Sequence, residues 1–315
     1  MSVPRILVSE VGPRDGLQSI ASIMPTARKK QWISAEAAAG VREIEVGSFV
    51  PAKLLPQLAD TAEIVAHALT IPGLSVAALV PNLTGAKHAI EAGVSKMSLP
   101  LSVSETHSIA NLRRNHLEMI EEIRQVIALL AETPSQQRPH FEVGLATAFG
   151  CSLEGPVAEK KVVELAVKAM ELGADEVGLS DTTGSANPAQ VQRLIRLVRN
   201  EIGDDRLTGV HLHNTRGLGI ANALAALQVG ITTLDSSLGG LGGCPAAPGA
   251  SGNIVTEDLV FMLNSMGYDT GIDMDRLLSV RKILTEALPD EALFGFTADA
   301  GLPKGHEGKS WGIQT

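Results

Sequence analysis

Short runs rich in Val, Ile and Leu alternate along the chain with Ala-rich segments of helical period, almost from end to end. Eight such runs read as strands: 6–12 (ILVSEVG), 43–49 (EIEVGSF), 75–81 (SVAALVP), 96–102 (KMSLPLS), 141–149 (FEVGLATAF), 176–182 (EVGLSDT), 209–215 (GVHLHNT) and 232–240 (TTLDSSLGG). Helical patterns fall between them, and several end on a glycine just before the next strand: Gly40, Gly93, Gly173 and Gly230. Glycine suits the left-handed residue that closes a helix. Eight βα units in about 270 residues match a (β/α)8 TIM barrel, which typically takes ~250. The alternative, a doubly wound open sheet, would more often place a Gly-rich phosphate loop after its first strand, and Gly12-Pro13-Arg14-Asp15-Gly16 is not G-x-G-x-x-G. The expected fold is therefore α/β: one catalytic domain over 1–315, with the barrel at about 5–273 and an additional C-terminal helix and irregular tail over 274–315.

Composition narrows the partners. Aromatic residues make up only 3% of the chain, so the core must be built from Val, Ile, Leu and Ala, the residues of buried parallel sheets. A formal net charge of -9 with no run of Lys and Arg leaves no electrostatic footprint for nucleic acid or an anionic membrane. No apolar stretch approaches the roughly 20 residues needed to span a bilayer, and the N-terminus runs into the first strand without a signal-peptide pattern. Cys151 and Cys244, the two cysteines, are too few for a disulfide framework and fit a reducing compartment. These features make a cytoplasmic protein the expectation.

In a TIM barrel the reacting groups sit at the carboxyl ends of the strands. That rim would collect Arg14 and Asp15 after strand 1, Glu45 on strand 2, Asp181 after strand 6, His211 and His213 on strand 7, and the Gly-rich loop 239–253 after strand 8. His211 and His213 are two apart on a strand, so their imidazoles share a face. With Asp15 across the mouth they would offer two nitrogens and a carboxylate, a set that suits Mg²⁺, Mn²⁺ or Zn²⁺ without deciding among them. Glu43 and Glu45 share a strand face, and two unpaired carboxylates are costly inside a barrel. Position favours Glu45 at the rim, with the Arg14 guanidinium as partner, and Glu43 at the solvated lower end.

Other residues read two ways. Asp181 suits proton chemistry or the start of the turn into the helix at Pro188. Asn253 reads as a helix N-cap or, through its amide oxygen, as a metal ligand. Cys244 is the one reactive side chain of a loop nearly free of them, and so is a candidate proton donor or a small apolar filler. Cys151 and the remaining histidines are read as structural. Arg113 and Arg114 read as a solvated helix face or as contacts to phosphates.

Taken together, VGPRDGLQ (11–18), IEVGSFV (44–50), SDTTG (180–184), HLHNTRG (211–217) and SSLGGLGGCPAAPGASGN (236–253) resemble the 3-hydroxy-3-methylglutaryl-CoA lyase family, the lyase branch of a metal-dependent TIM-barrel group. The resemblance implies retro-Claisen cleavage of an acyl-CoA to acetyl-CoA and a 3-oxoacid. It implies Asp15, His211, His213 and Asn253 as ligands of a divalent metal, usually Mg²⁺ or Mn²⁺. It further implies Arg14 as the cation polarising the thioester carbonyl, Glu45 orienting Arg14, Asp181 and His211 as candidates for the hydroxyl proton, and Cys244 for protonating the acetyl-CoA carbanion. Barrels of this group are often dimers, which makes a homo-oligomer the expectation by analogy.

The pattern departs from the family over 102–119 (SVSETHSIANLRRNHLEM), where the family typically carries an Asn-rich stretch near the acyl group. A related 3-hydroxyacyl-CoA, such as citramalyl-CoA or a longer-branched analogue, therefore stands beside the parent substrate. A synthase condensing acetyl-CoA with a 2-oxoacid is a further alternative, against which His213-Asn214-Thr215 and the Cys-bearing loop argue. A non-catalytic barrel would have no need of these polar residues.

Overall fold

The computed structural model describes residues 4–242 and 252–306. Eight parallel strands close into a barrel in chain order, and the eighth pairs with the first. They are β1 (Leu7–Glu10), β2 (Glu43–Ser48), β3 (Ser75–Leu79), β4 (Lys96–Ser102), β5 (His140–Ala146), β6 (Glu176–Ser180), β7 (Gly209–His211) and β8 (Thr233–Ser236). Each lies within a run that the hydrophobic pattern marks as a strand, apart from His140 one residue upstream. The expected (β/α)8 barrel is the fold observed.

Helices return the chain between strands: α1 (Thr26–Ala39), α2 (Thr61–Ala68), α3 (Leu83–Ala92), α4 (Glu105–Leu112) and α5 (His116–Glu132), α6 (Glu159–Leu172), α7 (Pro188–Ile202) and α8 (Gly219–Leu227). After β8 come α9 (Thr256–Ser265), α10 (Met274–Ala287) and α11 (Phe296–Ala300). Gly40 and Gly173 close α1 and α6 at φ 111° and 109°, as their positions before a strand led us to expect. The C-terminal region holds two helices where the sequence pattern predicts one. Helix α11 is only five residues long and owes its start to Asp258, which accepts the N–H groups of Phe296 and Thr297 across the fold. No helix among the described residues is long and apolar enough to cross a membrane.

The strands' two faces do different work. Outward-facing Val8, Ile44, Val46, Val76, Met97, Leu99, Phe141, Val143, Val177, Leu179, Val210 and Leu234 are buried under the helices. Each such side chain stabilises the fold by roughly 1.5–3 kcal/mol. The inward face is polar. At the barrel's amino-terminal end the Lys96 ammonium lies 2.6 Å from Glu142, 3.8 Å from Glu43 and 3.9 Å from Glu176. Burial disfavours the ammonium, but the three carboxylates outweigh it and hold the Lys96 pKa well above the ordinary lysine value. Gly178 makes room for this cluster, since a Cβ there would lie 2.4 Å from Glu142 Oε1. Glu43 is thus at the lower end, as its position suggests, and is compensated by Lys96 and a Ser75 hydroxyl at 3.2 Å.

Candidate active site

The chain leaves β1 through a single π turn, Gly12–Gly16. The Val11 carbonyl accepts N–H groups from Arg14, Asp15 and Gly16 at 3.1, 2.7 and 3.4 Å, which swings both charged side chains over the barrel mouth. Arg14 Nε donates to Glu45 Oε2 and Nη1 to Asp15 Oδ1, each at 2.5 Å. The other Glu45 oxygen accepts the Ser98 hydroxyl of β4 at 2.9 Å. The guanidinium is thus held between two carboxylates from different segments, a fork geometry that lysine cannot supply. Burial pushes the Asp15 carboxyl up, but Arg14, His211 and His213 pull it well below the usual carboxylate range. Burial likewise opposes the Arg14 charge, and Glu45 and Asp15 restore it.

His211 ends β7 and His213 follows in an isolated bridge with Asn253. Their Nε2 atoms are 3.0 Å apart, and Asp15 Oδ2 lies 3.9 Å from each. Among the described residues this is the group of His, Cys, Asp or Glu side chains able to hold a metal ion. The donors fit one. Two nitrogens 3.0 Å apart are spaced as neighbouring ligands of an ion at roughly 2.1 Å from each. Asn253 Nδ2 donates to Asp15 Oδ2 at 2.8 Å, while its Oδ1 is buried with no partner among the described residues. A buried carbonyl oxygen without a partner beside this cluster fits a fourth ligand. Asn253 is not a helix cap: Val255 precedes α9 and no side chain caps that helix.

The histidines differ electrostatically. Burial lowers the His211 pKa, but a hydrogen bond from Nδ1 to Asp235 and the charges of Asp15 and Asp235 raise it above the ordinary value overall. Burial and the neighbouring His211 charge push His213 down to about 4. Asp235, which sequence reasoning missed, faces the barrel interior because β8 pairs it with Ser9 of β1. The signal was present in the alternation Thr233-Leu234-Asp235, where an acid stands two residues after an inward-facing threonine.

Asp181 is fully buried, and both its oxygens accept backbone N–H groups, from Ser185 at 2.8 Å and Ala186 at 3.1 Å. Burial raises its pKa against those two hydrogen bonds. It therefore forms the turn toward α7, and it lies near enough to His211 to feel that charge. Cys244 lies outside the described residues. Cys151 is buried, its sulfur accepting the Leu153 N–H, which fits its structural reading. Arg114 pairs with Glu122 between α4 and α5, and Arg113 closes α4 at φ 56°.

The fold and the mouth together define a (β/α)8 barrel enzyme with a paired guanidinium beside a two-histidine, one-carboxylate cluster. A family model described as HMGL-like matches residues 5–284, and the chain belongs to that family. The hydroxymethylglutaryl-CoA lyase YngG of Bacillus subtilis is 38% identical over 90% of this chain and 93% of its own. The mitochondrial hydroxymethylglutaryl-CoA lyase of Mus musculus is 39% identical over 90% of this chain and 86% of its own. A solved HMG-CoA lyase from Acinetobacter baumannii, in complex with coenzyme A and 3-methylmalate, superposes with TM-score 0.88 at 40% identity and covers 96% of both chains.

Proposed function

We propose that this protein cleaves a 3-hydroxyacyl-CoA, 3-hydroxy-3-methylglutaryl-CoA first among them, into acetyl-CoA and a 3-oxoacid, acetoacetate for that substrate. The observation that carries the reading is that Asp15 belongs to two constellations at once. Its Oδ1 accepts from Arg14 and its Oδ2 faces His211, His213 and Asn253. A retro-Claisen reaction develops charge at two sites, the tertiary hydroxyl as it loses its proton and the thioester carbonyl as the departing carbon becomes an enolate. One cation beside each site is what the chemistry needs.

Asp15, His211, His213 and Asn253 would hold a divalent ion; their mixed oxygen and nitrogen donors suit Mg²⁺, Mn²⁺ or Zn²⁺, and the family resemblance favours the first two. When bound it would lower the acidity barrier of the hydroxyl as a Lewis acid. Arg14, fixed by Glu45, would hydrogen-bond the thioester oxygen and stabilise the enolate once the bond between the hydroxyl-bearing carbon and its neighbour breaks. Asp181, whose pKa burial raises, and His211, whose Nδ1 is held by Asp235, are the two candidates to take the hydroxyl proton. Asp181 would do so from a turn in which both its oxygens already accept backbone N–H groups. Cys244 would return a proton to the enolate carbon. Residues 1–315 would act as one catalytic unit in the cytoplasm with an acyl-CoA as its partner molecule, and as a homodimer by analogy.

The test is release of acetyl-CoA from 3-hydroxy-3-methylglutaryl-CoA, abolished by EDTA and restored by Mg²⁺ or Mn²⁺. No turnover of any 3-hydroxyacyl-CoA by the metal-loaded protein would sink the proposal. The 3-methylmalate bound to the Acinetobacter relative favours a second reading, a shorter hydroxy-diacid thioester, so the substrate panel includes citramalyl- and methylmalyl-CoA.

A further inference from the structure

Glu10 closes β1 and is fully buried, yet it takes no part in the barrel mouth. Its register partners, Ile44 of β2 and Ser236 of β8, place it on the outer side of the barrel wall. There it lies among Trp32 and Glu36 of α1, Glu257 and Thr256 of α9, and Ser237. An isolated carboxyl in such a place is costly, and a leucine or methionine would fill the space without that cost. What the carboxyl adds is three directional bonds. Oε1 accepts the Gly12 N–H at 2.8 Å and the Leu238 N–H at 3.0 Å, and Oε2 accepts the Thr256 hydroxyl at 2.7 Å. That hydroxyl also meets the Ser236 hydroxyl at 2.9 Å.

Each bonded residue lies three positions from a member of the mouth. Gly12 precedes Asp15 by three, Leu238 follows Asp235 by three, and Thr256 follows Asn253 by three. We propose that Glu10 is a positioning residue for the reaction, its buried carboxyl fixing the turn of Arg14 and Asp15 against the segments that carry Asp235 and Asn253. The inference rests on the metal-site reading above.

Close packing gives the carboxyl its leverage. A Cβ on Gly12 would lie 2.5 Å from Glu10 Oε1 and 2.8 Å from the Trp32 ring. One on Gly242 would lie 2.8 Å from the Gly16 Cα, so the turn and the segment after β8 touch backbone to backbone. Ser237 Oγ donates to the Leu241 carbonyl at 3.1 Å and holds that segment in the same corner. A shift of the turn at Gly12 therefore reaches the 2.8 Å bond between Asp15 and Asn253. Burial keeps Glu10 protonated further up the pH scale than an ordinary carboxyl. Burial, and then the Glu257 carboxylate, push it up to about 7 against its three hydrogen bonds. Glu257 is itself engaged by Arg281 and the Gly239 N–H, while Glu36, close enough to Glu10 and Trp32 to be shifted by both, is pushed well above the usual carboxylate range by burial and by the Glu10 charge. A glutamine at position 10 could accept both backbone N–H groups through one amide oxygen.

The test uses full-length protein with Glu10→Gln, Glu10→Ala and Thr256→Val, reading Mn²⁺ affinity from the electron paramagnetic resonance of free Mn²⁺ and, separately, kcat and KM. Glu10→Gln is expected within about twofold of wild type in all three. Glu10→Ala should raise the Mn²⁺ Kd and lower kcat on the order of tenfold each, as loss of an outer support of a metal site does, with KM changed about twofold or less. A folded Glu10→Ala variant with wild-type Mn²⁺ affinity and kcat overturns the proposal, as does a Glu10→Gln variant as impaired as the alanine. Should Glu10→Ala fail to fold, Thr256→Val decides, because it deletes one of the three contacts at nearly constant volume. It must raise the Mn²⁺ Kd at least about threefold, and an unchanged Kd overturns the proposal. Wild-type protein that binds no Mn²⁺ would instead remove the metal-site reading, so the two failures are told apart.

Discussion

His211 Nδ1 and Asp235 Oδ2 stand 3.1 Å apart across β7 and β8, and this contact decides which nitrogen His211 can present to an ion. With Nδ1–H donated to the carboxylate, the Nε2 lone pair faces His213 and Asp15. Carboxylate partners of ligating histidines commonly sustain ten- to a hundredfold of metal affinity. Asp235→Ala should therefore weaken Mn²⁺ binding by about that factor, and Asp235→Asn, which keeps an acceptor without the charge, by less. Mn²⁺ titration of both variants checks it, and an alanine variant binding as tightly as wild type would show that His211 is oriented by something else.

Arg14 makes a contrasting prediction. It neighbours Asp15 but points its guanidinium to Glu45 as well, so its removal should spare the ligand cluster and strike the chemical step. Loss of one preorganised donor to a developing oxyanion typically costs about 10²–10³ in kcat. Arg14→Met should lose at least that much with Mn²⁺ affinity kept within a few-fold. Arg14→Lys should recover little, since an ammonium cannot bridge both carboxylates. Steady-state kinetics beside Mn²⁺ binding separates the two effects, and a methionine variant with near-normal kcat would remove Arg14 from its role.

How far these assignments can be read from the chain depends on whether a residue's neighbours are local. Strand order, the glycine helix ends and the shared face of His211 and His213 follow from periods of two and 3.6 within short windows. Arg14, in the turn that leaves β1, and Glu45 of the neighbouring β2 are brought together by strand order and that turn. Asp235 was within reach by the same logic once Thr233 is set facing inward. The Lys96 cluster was not, because it needs the register of β2, β4, β5 and β6 together. Helix α11 was hidden for a similar reason, its start being capped by Asp258 from another element.

Glu10 links the site's support to pH. Its pKa rises from 4.5 to about 7 on folding, so the folded state binds more protons than the unfolded chain between those values. The group's contribution is full below about 4.5 and is lost as pH rises through about 7. At roughly 1.4 kcal/mol per pK unit the loss amounts to a few kcal/mol. Glu10→Gln carries no such proton, so its stability relative to wild type should improve between pH 5 and pH 8. Urea unfolding at the two values measures the difference. A constant difference would mean that Glu10 is ionised throughout, with the proton carried instead by Glu36, whose carboxyl burial and the Glu10 charge push well above the usual carboxylate range.

At the opposite end of the barrel, Lys96 compensates Glu43, Glu142 and Glu176 in a space walled by strands. Removing one partner of a buried ion network leaves the others uncompensated and typically costs about 3–5 kcal/mol, whereas replacing the set with apolar groups can be neutral. Lys96→Met should therefore destabilise the fold by roughly that amount. Glu142, the nearest carboxylate at 2.6 Å, is the one whose neutralisation should help most. Lys96→Met combined with Glu142→Gln is expected to regain a substantial part of the loss, giving a favourable coupling in a double-mutant cycle by urea unfolding. The cluster contains none of the proposed ligands, although Glu142 is near enough to Asp235 to feel its charge, so Mn²⁺ affinity should stay within a few-fold of wild type in the folded fraction of both variants. Strictly additive losses would mean that Glu43 and Glu176 carry the compensation and that the 2.6 Å contact contributes little.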